Sequence, residues 1–387
     1  LHTAYRRQRQ MCIRDRLMTI PIHIHIGHTL SSATHQSYTS QTPLFFVMNG
    51  GSGRHDADDT RSIIEAAMQA AGRSHRIFVI ENVDQIEATV QQAVDAAKER
   101  AAVVVAVGGD GTINAVANTV LGSGCLFGAI PQGTFNYFGR THGIPEDINA
   151  SLQDLLHGDA VPVQVGQVNQ HVFLVNASVG LYPSLLEDRE AFKQKYGRSR
   201  LVAMWAAIAT VFSRRRQLHM TLEQDGKRVS MRTTTLFIGN NRLQLEQVGM
   251  PQATAVVHGQ LAGIAVRPVG KLAMLWLGAC GALGRLGDAE HVIGFSFRTL
   301  TVALHRRPAA TQKASEATQD ARKKTHKGQI KVAADGEILW LHTPLEFRVA
   351  EESLLLIKRR NAPDAEAASM ADIAIPDDQS AAGERAA

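Results

Sequence analysis

The residues Gly108-Gly109-Asp110-Gly111-Thr112 follow an apolar, β-branched run, Val103 to Val107, and lead into a stretch with helical spacing. A buried strand that ends in glycines and opens a helix is suited to holding phosphate. Backbone N–H groups can approach an anion closely there, and the helix N-terminus favours negative charge. Asp110 narrows the chemistry. A carboxylate beside a phosphate is repulsive unless a metal cation bridges the two or the carboxylate takes a proton, which points to reactions of a nucleotide. Neither the dinucleotide pattern G-x-G-x-x-G nor the P-loop pattern occurs in the chain.

A second loop of the same kind lies about twenty residues on. The short apolar strand at Gly128-Ala-Ile130 runs into Pro131-Gln-Gly-Thr-Phe-Asn136. Two strand-to-polar-loop transitions with a helix between them form a βαβ unit whose loops share one edge of the sheet, where open α/β sheets bind ligands. The surrounding elements fit that unit. Leu44 to Met48 and Arg76 to Ile80 read as strands, and Thr60 to Ala71 and Ile86 to Arg100 as helices, so strand and helix alternate around a parallel sheet. Beyond Asp159-Ala-Val-Pro162 the texture changes to short alternating strands: Val163 to Val168, His171 to Val175, Leu218 to Leu222, Thr234 to Ile238 and Leu261 to Arg267. These imply a second, mainly antiparallel part.

Four segments resemble the catalytic domain of the diacylglycerol kinase family, which includes bacterial lipid kinases and the sphingosine and ceramide kinases. Asn49-Gly-Gly-Ser-Gly53 is similar to the family's first nucleotide loop, Gly108 to Asn114 to its GGDGTxN signature, Pro131 to Asn136 to its P-x-G-T-x-N segment, and Asp335-Gly-Glu337 to its late DGE motif. The resemblance implies a two-domain α/β fold, a parallel-sheet nucleotide-binding domain followed by a mainly antiparallel β domain, with ATP and Mg²⁺ as cofactors and a lipid alcohol as acceptor. It further implies phosphate and ribose contacts from Asn49, Ser52, Gly53, Gly108, Gly109, Gly111, Thr112, Asn114, Gly133, Thr134 and Asn136. Asp110 and Glu337 are the implied metal ligands, and Asp335 the general base toward the acceptor hydroxyl, with the roles of Asp110 and Asp335 open to exchange. Turn and cap readings stand beside these, Asp335-Gly336 as a hairpin turn and Asn136 as a helix cap. The chain departs from the family at Ala115, where a Glu is usual, at Tyr137, where an Asp is usual, at Gly50 in the first loop, and at Gly180-Leu-Tyr-Pro183. A soluble-acceptor kinase resembling NAD kinases and a nucleotide-binding protein without activity are the alternative readings.

Composition sets outer bounds. The chain has 387 residues, 44% of them hydrophobic, with a formal net charge of +5. That is enough apolar material for more than one core. Three cysteines, Cys12, Cys125 and Cys280, have no paired spacing, which supports neither a disulfide framework nor a zinc site. The longest apolar stretches, Leu201 to Phe212 and Leu272 to Gly284, are shorter than the roughly 18–20 residues that span a bilayer and are expected to pack as helices. The expected location is cytoplasmic, with peripheral contact at the inner membrane and no nucleic-acid partner.

The expected organisation is a disordered or artefactual extension over 1–42, an ATP-binding domain over 43–162 with 346–360 returning to it, a lipid-acceptor domain over 163–345, and a solvated tail over 361–387. Residues 306–328, polar and basic, read as an exposed insertion within the second domain. The basic stretch Lys193 to Arg200, the apolar Leu201 to Phe212 and Arg214-Arg-Arg216 read either as an interfacial helix or as a surface helix closing that domain.

Overall fold

Leu44-Phe-Phe-Val-Met48 is apolar at every position, as a strand covered on both faces requires, and all five residues are buried in strand β1 (Leu44–Asn49). The structure is a computed structural model that describes residues 38–50, 57–181, 183, 217–305 and 329–359. After β1 come α1 (Ala57–Ala70), β2 (His75–Ile80), α2 (Ile86–Arg100), β3 (Val103–Gly108), α3 (Asp110–Val120) and β4 (Leu126–Pro131). A short helix α4 (Tyr137–Thr141) and then α5 (Ile148–His157) lead to β5 (Asp159–Val163). The last described strand, β18 (Leu354–Lys358), completes this first sheet, whose order is β2-β1-β3-β4-β18-β5. All neighbours are parallel except β18 and β5.

The helices cover both faces. Val90, Val94 and Ala97 of α2 and Ile113, Val116 and Val120 of α3 pack against Phe45, Val47, Val104 and Phe127 on one side. On the other, Ile64 and Met68 of α1 and Ile148, Leu152 and Leu155 of α5 meet Leu44, Phe46, Val105 and Ile130. The i, i+4 spacing of Thr60, Ile64 and Met68 is the stripe that lays α1 on the sheet. Asp147 caps α5, its Oδ1 accepting the Ala150 N–H at 2.8 Å.

Two further six-stranded sheets follow. Their strands are β6 (Gly166–Val168), β7 (His171–Phe173), β8 (Asn176–Gly180), β9 (Leu218–Gln224), β10 (Lys227–Thr233), β11 (Thr235–Gly239), β12 (Leu261–Val266), β13 (Val292–Phe297), β14 (Thr299–His305), β15 (Gln329–Ala334), β16 (Glu337–His342) and β17 (Leu345–Val349). One sheet has the order β10-β9-β14-β17-β6-β7 and the other β13-β12-β11-β8-β15-β16. Every pairing in both is antiparallel, and one core holding Phe173, Val179, Leu236, Val302 and Phe347 draws on both sheets. Helices α6 (Arg242–Gln247), α7 (Ala253–Val257) and α8 (Lys271–Ala282) accompany them. The fold class is therefore the α/β arrangement expected, with a parallel-containing sheet first and antiparallel sheets after it.

Three expectations change. The run Val163 to Val168 is not one strand: Val163 ends β5 in the first sheet, and Gly166 begins β6 in the next. Residues 346–360 do not all return to the first sheet. Leu345–Val349 pairs with β14 and β6, and only Leu354–Lys358 goes back. The two crossings lie side by side, with Val349 opposite Gly166 and the Ala350 N–H donating to Val165 O at 2.8 Å. Finally, residues 38–42, of which Thr39 to Gln41 are exposed, are tied to the fold through Arg73. Arg73, 5% exposed, donates to Thr42 O at 2.7 Å and Thr39 O at 2.8 Å and lies 5.2 Å from the centre of the Tyr38 ring. The readings on residues 1–37, 184–216, 306–328 and 361–387 fall outside the described residues.

Replacing Arg73 leaves one buried and one part-buried carbonyl without their charged donor. Arg73→Ala is expected to lower unfolding stability by about 2–3 kcal/mol in urea titration, and proteolysis should then release the segment before Pro43.

Candidate active site

Parallel register brings the loops together. Gly108 at the end of β3 lies opposite Pro131 at the end of β4, and β1 ends beside them in Asn49. The backbones nearly touch: a Cβ on Gly133 would lie 2.9 Å from the Gly109 Cα. A Cβ on Gly108 would meet Thr112 Oγ1 at 2.8 Å, so glycine is required where the buried Thr112 side chain folds back over the strand end. Thr112 Oγ1 accepts from Asn49 Nδ2 at 3.4 Å, which ties the first loop to the second. Gly109 is the extended N-cap of α3 and makes no side-chain cap bond. The first N–H groups of that helix have no intrahelical acceptor and point along the axis toward the loop edge.

Asp110 begins α3 and faces the start of α4. Its Oδ1 accepts the Phe138 N–H at 3.3 Å. Burial raises its pKa, and N–H donation from Phe138, Tyr137 and Asn136 offsets part of that rise. Asn136 takes a left-handed conformation, φ +48°, and is 1% exposed. Its Oδ1 accepts the Gly133 N–H at 2.8 Å and its Nδ2 donates to Gly133 O at 3.1 Å. Asn136 thus holds the shape of the Gly133 loop from inside, rather than capping α4. Thr134 is exposed at the loop tip, and Phe135 beside it stacks on Tyr137 with ring centres 5.8 Å apart. Ser52 and Gly53 lie outside the described residues.

Asp335 is both a turn residue and an enclosed acceptor. With φ +46° at Asp335 and +88° at Gly336, the two form the tight turn joining β15 to β16, a conformation that Asp-Gly favours. The carboxylate turns back into the protein. Oδ1 accepts the N–H groups of Val175 (2.9 Å) and Asn176 (2.8 Å), and Oδ2 accepts the Leu174 N–H and Asn114 Nδ2, both at 2.6 Å. Burial nevertheless raises its pKa to about 6, outweighing these four donors. Asn114 also donates to Val172 O at 3.3 Å. Its amide therefore joins the helix after the glycine loop to Asp335. Glu337, two residues on, has a pKa raised by burial, and a Cβ on Gly111 would sit 3.7 Å from its Oε1. Both ends of the Asp335-Gly-Glu337 turn thus meet the first turns of α3.

Asn240 and Asn241 were not singled out from sequence. Asn240 Nδ2 donates to Leu174 O at 3.0 Å, and its backbone N–H donates to Val175 O at 2.9 Å. These bonds hold the segment that in turn holds Asp335. Asn241 Nδ2 donates to Tyr137 O at 3.2 Å, anchoring the entry to α4. A signal was present: the buried strand Thr235–Gly239 ends in Gly-Asn-Asn, the same kind of transition that marks the phosphate loop. Among the described residues no cluster of three or more His, Cys, Asp or Glu is placed to hold a metal ion. Mg²⁺ on a nucleotide needs only one or two protein carboxylates beside the phosphates, and Asp110 and Glu337 fit that smaller requirement.

The site thus joins glycine loops at the ends of a parallel α/β sheet to a carboxylate turn from the antiparallel sheets. Residues 43–168, about a third of the chain, match the family described as diacylglycerol kinase catalytic domain. A diacylglycerol kinase of Bacillus subtilis (strain 168) is 42% identical over 103 residues, covering 25% of this chain and 34% of that protein. A Cronobacter sakazakii protein described as "Probable lipid kinase YegS-like" is 37% identical over 90 residues, 22% of this chain and 30% of that one. The matched segments thus span about a third of these relatives' length. The crystal structure of a diacylglycerol kinase from Bacillus anthracis (strain Sterne) superposes with a TM-score of 0.54 at 16% identity, covering 84% of this chain and 99% of that one. At that identity the likeness is one of fold.

Since the folded state holds the Asp335 proton more tightly than the unfolded chain does, this group's stabilisation is complete below about pH 4 and is lost as pH rises through about 6. The stability difference between the wild type and Asp335→Asn should therefore shrink by about 2–3 kcal/mol from pH 4 to pH 7. Urea unfolding across that range measures it, and a flat difference would show that the carboxylate is not penalised by burial.

Proposed function

We propose that the chain is an ATP-dependent lipid kinase, transferring the γ-phosphate to the hydroxyl of a diacylglycerol-like or sphingoid lipid. The observation that carries this reading is the bond from Asn114, on the phosphate-side helix, to Asp335, on the turn from the antiparallel sheets. It sets a carboxylate against a phosphate-type loop, which is what transfer to an alcohol asks of a protein. The N–H groups at the start of α3 receive phosphate oxygens, with Thr112 and Asn49 shaping the loop beneath them. Asp110 and Glu337 would hold Mg²⁺ beside the phosphates, and the ion would supply neutralisation of the charge that builds during transfer.

Asp335 takes the proton of the acceptor hydroxyl. A pKa near 6 suits a group that must be ionised at neutral pH yet accept a proton. All four of its acceptor positions are filled, so taking the proton requires one donor to leave. Three of the donors are backbone N–H groups, and the Asn114 amide is the one that can rotate away. The hydroxyl oxygen then attacks the γ-phosphorus, the bond to the β-bridging oxygen breaks, and ADP leaves.

The test uses γ-labelled ATP, Mg²⁺ and mixed micelles carrying a panel of lipid alcohols, with label followed into the organic phase. Transfer is expected for at least one lipid, with Asp110→Ala abolishing it and Asp335→Asn lowering kcat at least a hundredfold at unchanged ATP affinity. Label entering only water-soluble acceptors, or ATP binding without transfer to anything, would overturn the lipid assignment.

A further inference from the structure

Helix α8 has the sequence KLAMLWLGACGA and carries no charged residue after Lys271. A helix on the surface of a globular protein normally turns a polar face to solvent. This one does not. Met274 and Leu277 face inward with Val266 and Leu181, while Leu272 is 79% exposed, Leu275 37%, Trp276 67% and Leu283, just past the helix end, 72%. Positions 272, 275, 276, 279 and 283 lie on one stripe, and each is apolar. At about 18 Å the helix is too short to cross a hydrocarbon core of about 30 Å, and no helix among the described residues is long and apolar enough to cross a membrane.

Basic residues flank the helix along the chain. Arg267, four residues before Lys271, lines one surface cavity with Arg232 and Pro268. Arg285 follows its end with a side chain 73% exposed, in a solvent-exposed pair with Asp288 at 3.5 Å. Such a pair holds Arg285 only weakly. The four exposed side chains offer on the order of 500 Å², short of the roughly 800 Å² per partner that a standard stable protein interface buries. An apolar stripe with a Trp and flanking Arg instead matches a helix lying in the headgroup–acyl boundary of anionic lipid.

We infer that α8 is the element by which this protein docks on an anionic phospholipid bilayer, Leu272, Leu275, Trp276 and Leu283 entering the acyl boundary and Arg232, Arg267 and Arg285 meeting the headgroups. The inference rests on the lipid-acceptor reading above, since an acceptor hydroxyl held at headgroup level is reached only by an enzyme that visits the surface.

The experiment uses the full chain and sucrose-loaded vesicles of phosphatidylglycerol and phosphatidylethanolamine, sedimented with wild type, Leu272→Glu/Trp276→Glu and the control Val229→Glu, whose site on β10 is 59% exposed. The double variant should partition at least tenfold less, with Val229→Glu and the melting temperature unchanged, and quenching of Trp emission by brominated phosphatidylglycerol should vanish in Trp276→Phe. Equal partitioning of the double variant, or its conversion of a dimer to a monomer in size-exclusion chromatography, overturns the inference. A short-chain diacylglycerol kept below its critical micelle concentration separates the two readings. Docking through α8 requires the double variant to keep wild-type kcat on that soluble acceptor while losing activity on vesicles. Vesicle binding lost in the double variant, with no phosphate transfer by wild type to any lipid, leaves docking standing and removes the kinase assignment.

Discussion

One enclosed carboxylate organises the molecule. Asp335 draws three successive backbone N–H groups, Leu174 to Asn176, and the Asn114 amide onto its two oxygens. A buried charge is tolerable only when its acceptor positions are filled. The β15–β16 turn, the connection from β7 to β8 and the helix after the glycine loop must therefore all arrive in register. Asn240 reinforces the same segment from behind, and Asn241 reaches past it to the Tyr137 carbonyl. Side-chain amides recur in this network for a reason. Each offers a donor and an acceptor without adding charge, so the carboxylates can stay close to a phosphate loop with no further like charge nearby.

The glycines of the Gly108–Gly111 and Gly133 loops serve close approach rather than freedom of the chain. Gly108 makes room for Thr112, and Gly109 and Gly133 let two loops meet backbone to backbone. This packing places the ends of three parallel strands within one ligand's reach. It also explains why Asn136, buried with both ends of its amide on Gly133, supports the site from beneath.

Much of this was legible in the sequence, and the failures share a cause. Val103 to Thr112 announces itself because strand, glycines and helix are consecutive, and local sequence suffices. Asp335-Gly336 was readable as a turn, but its carboxylate's partners lie some 160 residues away, and no periodicity reports that. The passage between sheets at Gln164 and Val165 was hidden for a different reason. Apolar residues recur at Val161, Val163 and Val165 across the passage and slip by one position only at Gly166-Gln167, so the pattern shows a strand without showing which sheet it joins. Near Ala350, Glu351-Glu352-Ser353 does break the apolar run and separates β17 from β18. That charged interruption was the available clue.

Strand β18 has a consequence for how the protein is made. It fills the place between β4 and β5 in the first sheet, yet it is synthesised after both antiparallel sheets. At ribosomal speeds of about 5–20 residues per second, the edge of β4 waits many seconds for its neighbour. An unpaired, fully apolar edge invites pairing with other chains in that interval. The sheet that carries the glycine loops is thus complete only once the last described strand has been made and has joined it.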